Sequence, residues 1–149
     1  MKKKLSVIAA VLCTVMLLCG CTNKSLMTVE FQVTSGEYIE VSVDTANGFE
    51  LDEERPLDVI KDGEVVMSGV FISADEFENK KDAIADDKSA TIIESDETAE
   101  NPYFFYTYEN QKFLYCIHIN NSDTAVLVST YVSEDMAREC FENLTFAVK

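Results

Sequence analysis

The segment YFFYTYENQKFLYCIHINNSDTAVLVSTYV, residues 103–132, decides the fold. Runs rich in aromatic and β-branched residues occupy positions 103–109, 112–119 and 124–132, and short polar stretches separate them at 110–111 and 120–123. Apolar runs joined by a few Asn, Gln, Ser and Asp residues are typical of neighbouring antiparallel strands. The segment therefore predicts a three-stranded meander.

The rest of the chain adds shorter strand-like segments. Apolar and polar residues alternate in the first of them, which is the pattern of a half-buried strand. Asp62-Gly63 stands between two apolar runs, and this dipeptide is a strong hairpin signal. The predicted strands outside the meander are residues 27–33, 39–43, 49–51, 57–60, 64–72, 90–94 and 145–148.

Two helices are predicted from their start signals. Ser73 is followed three residues later by Glu76 as a capping box, and Ile72 with Phe77 can form a hydrophobic staple. We expect this helix to end near residue 85 and to lie on the surface of a sheet. Ser133 caps the second helix, whose first turn is acidic. The predicted apolar stripes are Phe77, Ala83 and Ile84 in the first helix and Met136, Ala137, Cys140, Phe141 and Leu144 in the second.

The order of these elements is strands, helix, strand meander, helix and final strand. It predicts an α+β domain in which two helices pack on a mainly antiparallel, twisted sheet. Four features then stand out: the 39–43 strand ahead of Gly48-Phe49, the 64–72 strand leading into the helix capped by Ser73, the aromatic meander, and the closing helix and strand at 133–146. This layout resembles the PsbP/Mog1-like family of α/β/α sandwich domains. The resemblance implies an accessory, binding or assembly factor and assigns no functional residue.

The N-terminus is typical of a targeting segment. Lysines at 2–4 precede an uncharged apolar run at 5–18, which is too short to cross a bilayer and has the length of a signal-peptide core. The run closes in Leu18-Cys19-Gly20-Cys21, which resembles the lipobox of bacterial lipoproteins. Small Gly20 before Cys21 suits cleavage there, whereas bulky leucines precede Cys13 and Cys19.

The lipobox resemblance implies a diacylglycerol thioether on Cys21, cleavage ahead of it and a lipidated N-terminus. We therefore expect a signal peptide at 1–20, a short tether at 21–26 and a single domain at 27–149, held at the extracytoplasmic face of the cell membrane. The alternatives are a plain secretory signal with an incidental cysteine and an uncleaved membrane helix.

The charge limits the partners of the mature chain. The signal carries three of the twelve basic residues and none of the 27 acidic ones, which leaves a net charge of about −18. Nucleic acid is excluded as an expected partner because its phosphates need Lys and Arg. Membrane contact is expected through the lipid on Cys21, and a protein partner would be cationic.

The candidates for chemistry are Cys116, His118 and Cys140. Cys116 and His118 share a face of one predicted strand, so they could be a nucleophile–base pair or half of a metal site, although either needs further partners. We favour side chains on a partly buried sheet face. Cys116 and Cys140 could form a disulfide, but we expect two buried thiols.

Two further groups have both a structural and a binding interpretation. The aromatic run at 103–108 alternates between faces and is expected to be mostly buried, with an exposed tyrosine-rich binding patch as the alternative. Acidic clusters at 52–54, 82–87 and 94–100 match no EF-hand spacing. We expect them to be solvated surface, with calcium or a cationic partner as the alternative.

From the sequence we expect a non-enzymatic lipoprotein of binding or accessory type, without a cofactor. One alternative is an acidic inhibitor or decoy for a cationic ligand, such as a basic lysozyme-like enzyme or a peptide. The alternative of another class is a thiol-dependent enzyme that uses Cys116 and His118, or more broadly a hydrolase or redox protein that uses Cys116, His118 or Cys140.

Overall fold

The computed structural model describes residues 25–52, 54–55 and 57–149. The predicted signal peptide, the predicted lipidation site Cys21 and Glu53 of the first acidic cluster lie outside these ranges. Ten strands and two α-helices occur within them, and a short 3₁₀ helix spans Thr45–Asn47. The elements are β1 (Leu26–Gln32), β2 (Tyr38–Asp44), β3 (Phe49–Leu51), β4 (Asp58–Lys61), β5 (Glu64–Ser73), α1 (Ala74–Asp86), β6 (Ala90–Asp96), β7 (Tyr103–Tyr108), β8 (Lys112–His118), β9 (Thr124–Thr130), α2 (Glu134–Asn143) and β10 (Leu144–Val148).

The described strands form two antiparallel sheets in a layered domain. The large sheet has the order β3-β4-β5-β9-β8-β7-β6, and the small sheet has the order β1-β2-β10. The small sheet and α2 cover one face of the large sheet around Phe105, Tyr115 and Val128. Helix α1 covers the opposite face over Phe104 and Cys116. The prediction of an α+β domain with helices packed on antiparallel sheet is confirmed, but the expectation of one sheet is wrong, because β1, β2 and β10 pair with one another as a separate sheet.

Helix α1 begins as predicted, but its contact stripe is narrower. The Ser73 hydroxyl accepts a hydrogen bond from the Glu76 amide at 3.2 Å, and the Glu76 carboxylate accepts one from the Ser73 amide at 2.9 Å. Phe77 and Ile84 are the buried residues of the helix. Ala83, which was expected in the stripe, is exposed because α1 touches the sheet along a single line of side chains.

Helix α2 is fixed by a column of aromatic rings. Phe141 stacks on Tyr115 at a centroid distance of 4.1 Å, and Tyr115 stacks on Phe105 at 4.1 Å. The Arg138 guanidinium lies 4.9 Å from the centroid of Phe105 and binds Glu94 of the edge strand β6 at 2.7 Å. The predicted burial of the aromatic meander is confirmed, because its rings fill the layers on both faces of the large sheet.

Two hairpin turns can be compared with the turns predicted from the sequence. Asp62 and Gly63 adopt positive φ angles of 53° and 85°, as the Asp-Gly signal predicts. In the β7–β8 turn the positive φ angles belong to Glu109 and Asn110, at 52° and 56°. The prediction that Asn110-Gln111 forms this turn is therefore wrong by one residue.

The predicted tether extends too far into the domain. β1 begins at Leu26, which pairs with Asp44, and the Ser25 carbonyl accepts a hydrogen bond from the Thr45 amide at 2.7 Å. Residues 25 and 26 are therefore held by the fold, because the strand gains its backbone partners there. We call this end of the two sheets the tether end.

At the opposite end of the two sheets, which we call the far end, one carboxylate joins the sheets through hydrogen bonds. Glu37, in the β1–β2 turn, accepts hydrogen bonds from the hydroxyls of Ser35 and Ser122 at 2.8 Å and of Thr124 at 3.1 Å. These contacts join the turn of the small sheet to the β8–β9 turn of the large sheet. The Ser35 and Ser122 hydroxyls hold the pKa of Glu37 below its usual value.

Candidate functional site

The two described cysteines lie in different layers. Cys116 of β8 lies under α1, Cys140 lies on the buried face of α2, and the large sheet separates them. Both are free thiols with no solvent exposure, so the expectation that they do not form a disulfide is confirmed. Burial raises the pKa of each thiol to about 12. A neutral, inaccessible thiol is a poor nucleophile, because the thiolate is the reactive form.

His118 shares the α1 face of the sheet with Cys116, as predicted, but the two do not form a reactive pair. The Cα atoms of residues two apart on a strand are about 7 Å apart, and their side chains point the same way without converging. The His118 Nε2 atom instead lies 3.1 Å from the carbonyl oxygen of Ser122. The imidazole ring lies 5.6 Å from the ring of Phe77. His118 thus belongs to a cleft beside α1.

This cleft, the α1 cleft, has a volume of about 330 Å³ and lies between α1 and the β6–β7 loop. Its floor is apolar, because Phe77 and Phe104 meet at a centroid distance of 5.2 Å. Its rim is polar and charged. The lining residues are Phe77, Glu78 and Lys81 of α1, Ser95 and Glu97, Pro102, Tyr103 and Phe104, and His118 of β8.

The surface around the cleft is acidic. Residues 74–101, which comprise α1, β6 and the loop that follows, carry ten Asp or Glu and three Lys, a net charge of −7. One of those lysines, Lys81, forms an ion pair with Glu97 across the cleft. Its hydrogen bond lowers the pKa of Glu97, while Glu97 raises the pKa of Lys81. Carboxylates beside an apolar floor suit a cationic side chain, because the methylene stem of a Lys or Arg can lie on apolar surface while its charge stays at the polar rim.

The position of the cleft follows from strand register. His118 ends β8, Ser95 is the second-last residue of β6, and Pro102 immediately precedes β7. All three therefore lie at the far end of the large sheet, where Glu37 is hydrogen-bonded to Ser122. The tether enters at the opposite end, where Leu26 pairs with Asp44. A seven-residue strand spans about 20 Å, so the cleft lies roughly that far from the first described residue.

Several carboxylates of the acidic clusters form hydrogen bonds or ion pairs with residues two or three positions away. Asp87 accepts a hydrogen bond from the Ser89 hydroxyl at 2.7 Å, and Asp96 accepts one from the Thr98 hydroxyl at 2.7 Å, which closes the turns around β6. Asp52 lies 3.9 Å from Arg55. Within the described ranges, no three His, Cys, Asp or Glu side chains come together in an arrangement that would hold a metal ion.

Sequence reasoning found the parts of the cleft separately. It singled out His118, Phe77 and the acidic run at 94–100, but it did not bring them together. Their proximity arises because β6 pairs with β7 as the edge strand of the large sheet. No local sequence pattern predicts this pairing. The predicted face shared by Cys116 and His118, combined with the helix capped by Ser73, was the available clue.

Neither helix in the described part of the chain has the length and apolar character needed to cross a bilayer. Comparison with protein-family models, with curated proteins and with solved structures finds no match to this chain.

Proposed function

We propose that this chain is a lipoprotein held at the extracytoplasmic face of the cell membrane through lipid on Cys21, and that its domain is a non-enzymatic accessory module that binds a cationic protein or peptide. The lipobox Leu18-Cys19-Gly20-Cys21 supports the anchor. We also propose membership of the PsbP/Mog1-like family. Its support is the layering, in which α1 and α2 lie on opposite faces of an antiparallel sheet.

The observation that carries the binding role is the α1 cleft with its acidic surroundings. Phe77 and Phe104, which are 6% and 1% exposed, form its apolar floor, and Glu78 and Glu97 supply negative charge at the rim. A lysine or arginine of a partner would replace Lys81 beside Glu97, above the apolar floor. Because the tether enters at the other end, an anchored domain would present this cleft to the solution side.

The anchor has a direct chemical test. Mass spectrometry of the membrane fraction should find a mature N-terminus at Cys21 that carries a diacylglycerol group. Cys21→Ser should release the protein or leave its precursor uncleaved. A wild-type product that is secreted without lipid would contradict the anchor.

The cleft can be tested with a tetra-arginine peptide as the probe and affinity as the measurement. Removing one rim carboxylate by Glu97→Gln should weaken binding by about fivefold, since one charge near 5 Å contributes about 1 kcal/mol at a solvated surface. Lys81→Gln should tighten binding by a similar factor, because it removes the competing cation. Binding should also weaken as salt rises.

The matched control is Glu142→Gln, which removes an exposed carboxylate from α2 on the other side of the large sheet. It should change the affinity little, because its distance from the cleft exceeds the screening length at about 0.15 M salt. If all three substitutions changed affinity only in proportion to net charge, the cleft would not be the binding site.

A further inference from the structure

The three most exposed large apolar side chains of the described residues lie at the tether end, and Val65 lies there too, whereas Val70 (50%) and Tyr38 (48%) are exposed elsewhere. Tyr131 is 72% exposed, Val132 59%, Leu26 57% and Val65 46%. Leu26 begins β1, Val65 is the second residue of β5, and Tyr131 and Val132 follow β9. We call these four residues the tether-end patch. Scattered apolar residues need no explanation, but these lie at one end of the molecule.

Backbone contacts connect the patch to the point where the chain enters the domain. The Ser25 carbonyl binds the Thr45 amide, and the carbonyl of Gly48, after the 3₁₀ helix, accepts a hydrogen bond from the Asp62 amide at 3.3 Å. Asp62 in turn lines a shallow groove together with Val65 and Val132. Val65, Tyr131 and Val132 thus line one surface, which we call the rim, and the first described residue is connected to it through the 45–48 and 61–62 segments.

The length of the chain between Cys21 and Ser25 limits the distance between this rim and a membrane surface. Four residue steps separate Cys21 from Ser25, and an extended chain covers at most about 14 Å in that distance. A lipid on Cys21 would therefore hold the tether end at the headgroups. The far end lies roughly another 20 Å away along the strands.

The side chains at the rim suit a bilayer interface in part. Tyrosine is enriched at membrane–water interfaces because its ring is apolar and its hydroxyl stays hydrated. The Lys112 ammonium lies 5.2 Å from the centroid of the Tyr131 ring, and Lys61 lies on the same rim. Asp62 and Glu64 add negative charge there. The contact must therefore rest on apolar burial, because these acids oppose attraction to anionic lipids.

We propose that the tether-end patch is a membrane-contact surface, through which Tyr131 and Val132 settle into the interfacial region of the bilayer and turn the α1 cleft away from it. The occupant is the lipid surface itself. This proposal rests on the lipid anchor of the proposed function but not on the nature of the partner.

The sequence contains no tryptophan, so one introduced indole reports a single place. The test uses the mature chain, residues 21–149, with Tyr131→Trp, coupled through the Cys21 thiol to a maleimide lipid in phosphatidylcholine vesicles. Coupling is selective because Cys116 and Cys140 have no exposure. The matched control is Tyr38→Trp, since Tyr38 is 48% exposed and lies at the far end.

Vesicles with brominated acyl chains should quench the fluorescence of the Tyr131→Trp variant by about half, because an interfacial side chain lies within about 10 Å of the acyl boundary. The Tyr38→Trp variant should keep its fluorescence. Adding Val65→Ser and Val132→Ser to the Tyr131→Trp variant should reduce its quenching.

Equal quenching of the two variants, or none of the Tyr131→Trp variant, would overturn the proposal. Chemical coupling keeps the test valid even if cells do not acylate Cys21, so failure of the anchor and failure of the contact are distinguished.

Discussion

The ring of Phe77 joins the fold to the candidate site, so Phe77→Ala is the most informative single substitution. Phe77 is 6% exposed, contacts Phe104 and His118, and shares with Ile84 the burial of α1. Phe→Ala in a core costs about 3–5 kcal/mol. A surface helix relaxes into the space, so we expect a loss at the lower end of that range, about 3 kcal/mol.

Urea denaturation of the domain measures this loss. With a slope of about 2 kcal/mol per molar urea, a loss of about 3 kcal/mol lowers the midpoint by about 1.5 M. Hydrogen exchange should also quicken in α1, because one of its two anchors is gone. The matched control is Ala83→Ser, which alters an exposed position of the same helix and should shift stability by less than about 0.5 kcal/mol.

A loss below about 1 kcal/mol with unchanged exchange in α1 would contradict this role of Phe77. It would mean that α1 is held by other contacts and that the aromatic floor of the cleft is not formed as described. A large effect of Ala83→Ser would contradict the narrow contact stripe.

Three further predictions concern packing, thiols and acid. Gly69→Ala should destabilise by about 1–3 kcal/mol in urea, because its new Cβ would lie 2.6 Å from Leu57 Cδ2, which is overpacking. Cys116 and Cys140 should resist a thiol reagent in the native domain and both react after denaturation; rapid native labelling would contradict their burial. The pKa of Glu37 is lowered in the folded state, so its contribution to stability is present above about pH 4.5 and is lost as pH falls through the folded value. Glu37→Gln should therefore flatten the acid limb of the stability curve measured by urea midpoints, and an unchanged limb would show that another carboxylate dominates.

The parts of the fold that local chemistry specifies were predictable from the sequence. Ser73 with Glu76 located the start of α1, Ser133 that of α2, and Asp62-Gly63 placed a hairpin, because each device satisfies backbone groups within a few residues. The meander followed from its polar turns. The turn at Glu109 was missed by one residue because Glu is an uncommon choice for a positive φ.

Long-range pairing could not be predicted in the same way. β10 pairs with β2, so Phe146 lies beside Val41 although they are far apart in the chain. Nothing near either strand shows that they form a second sheet with β1. The α1 cleft depends on the same kind of information, since it draws residues from α1, β6, β7 and β8.

Amide chemical-shift mapping can locate cation binding on the domain residue by residue. The ¹⁵N-labelled domain is titrated with tetra-arginine peptide at about 0.05 M and 0.15 M salt, where screening of distant charges differs clearly. We expect saturating shifts at Phe77, Glu97 and His118 that weaken at higher salt. Shifts spread evenly over the acidic surface, or centred at the tether end, would contradict binding in the α1 cleft.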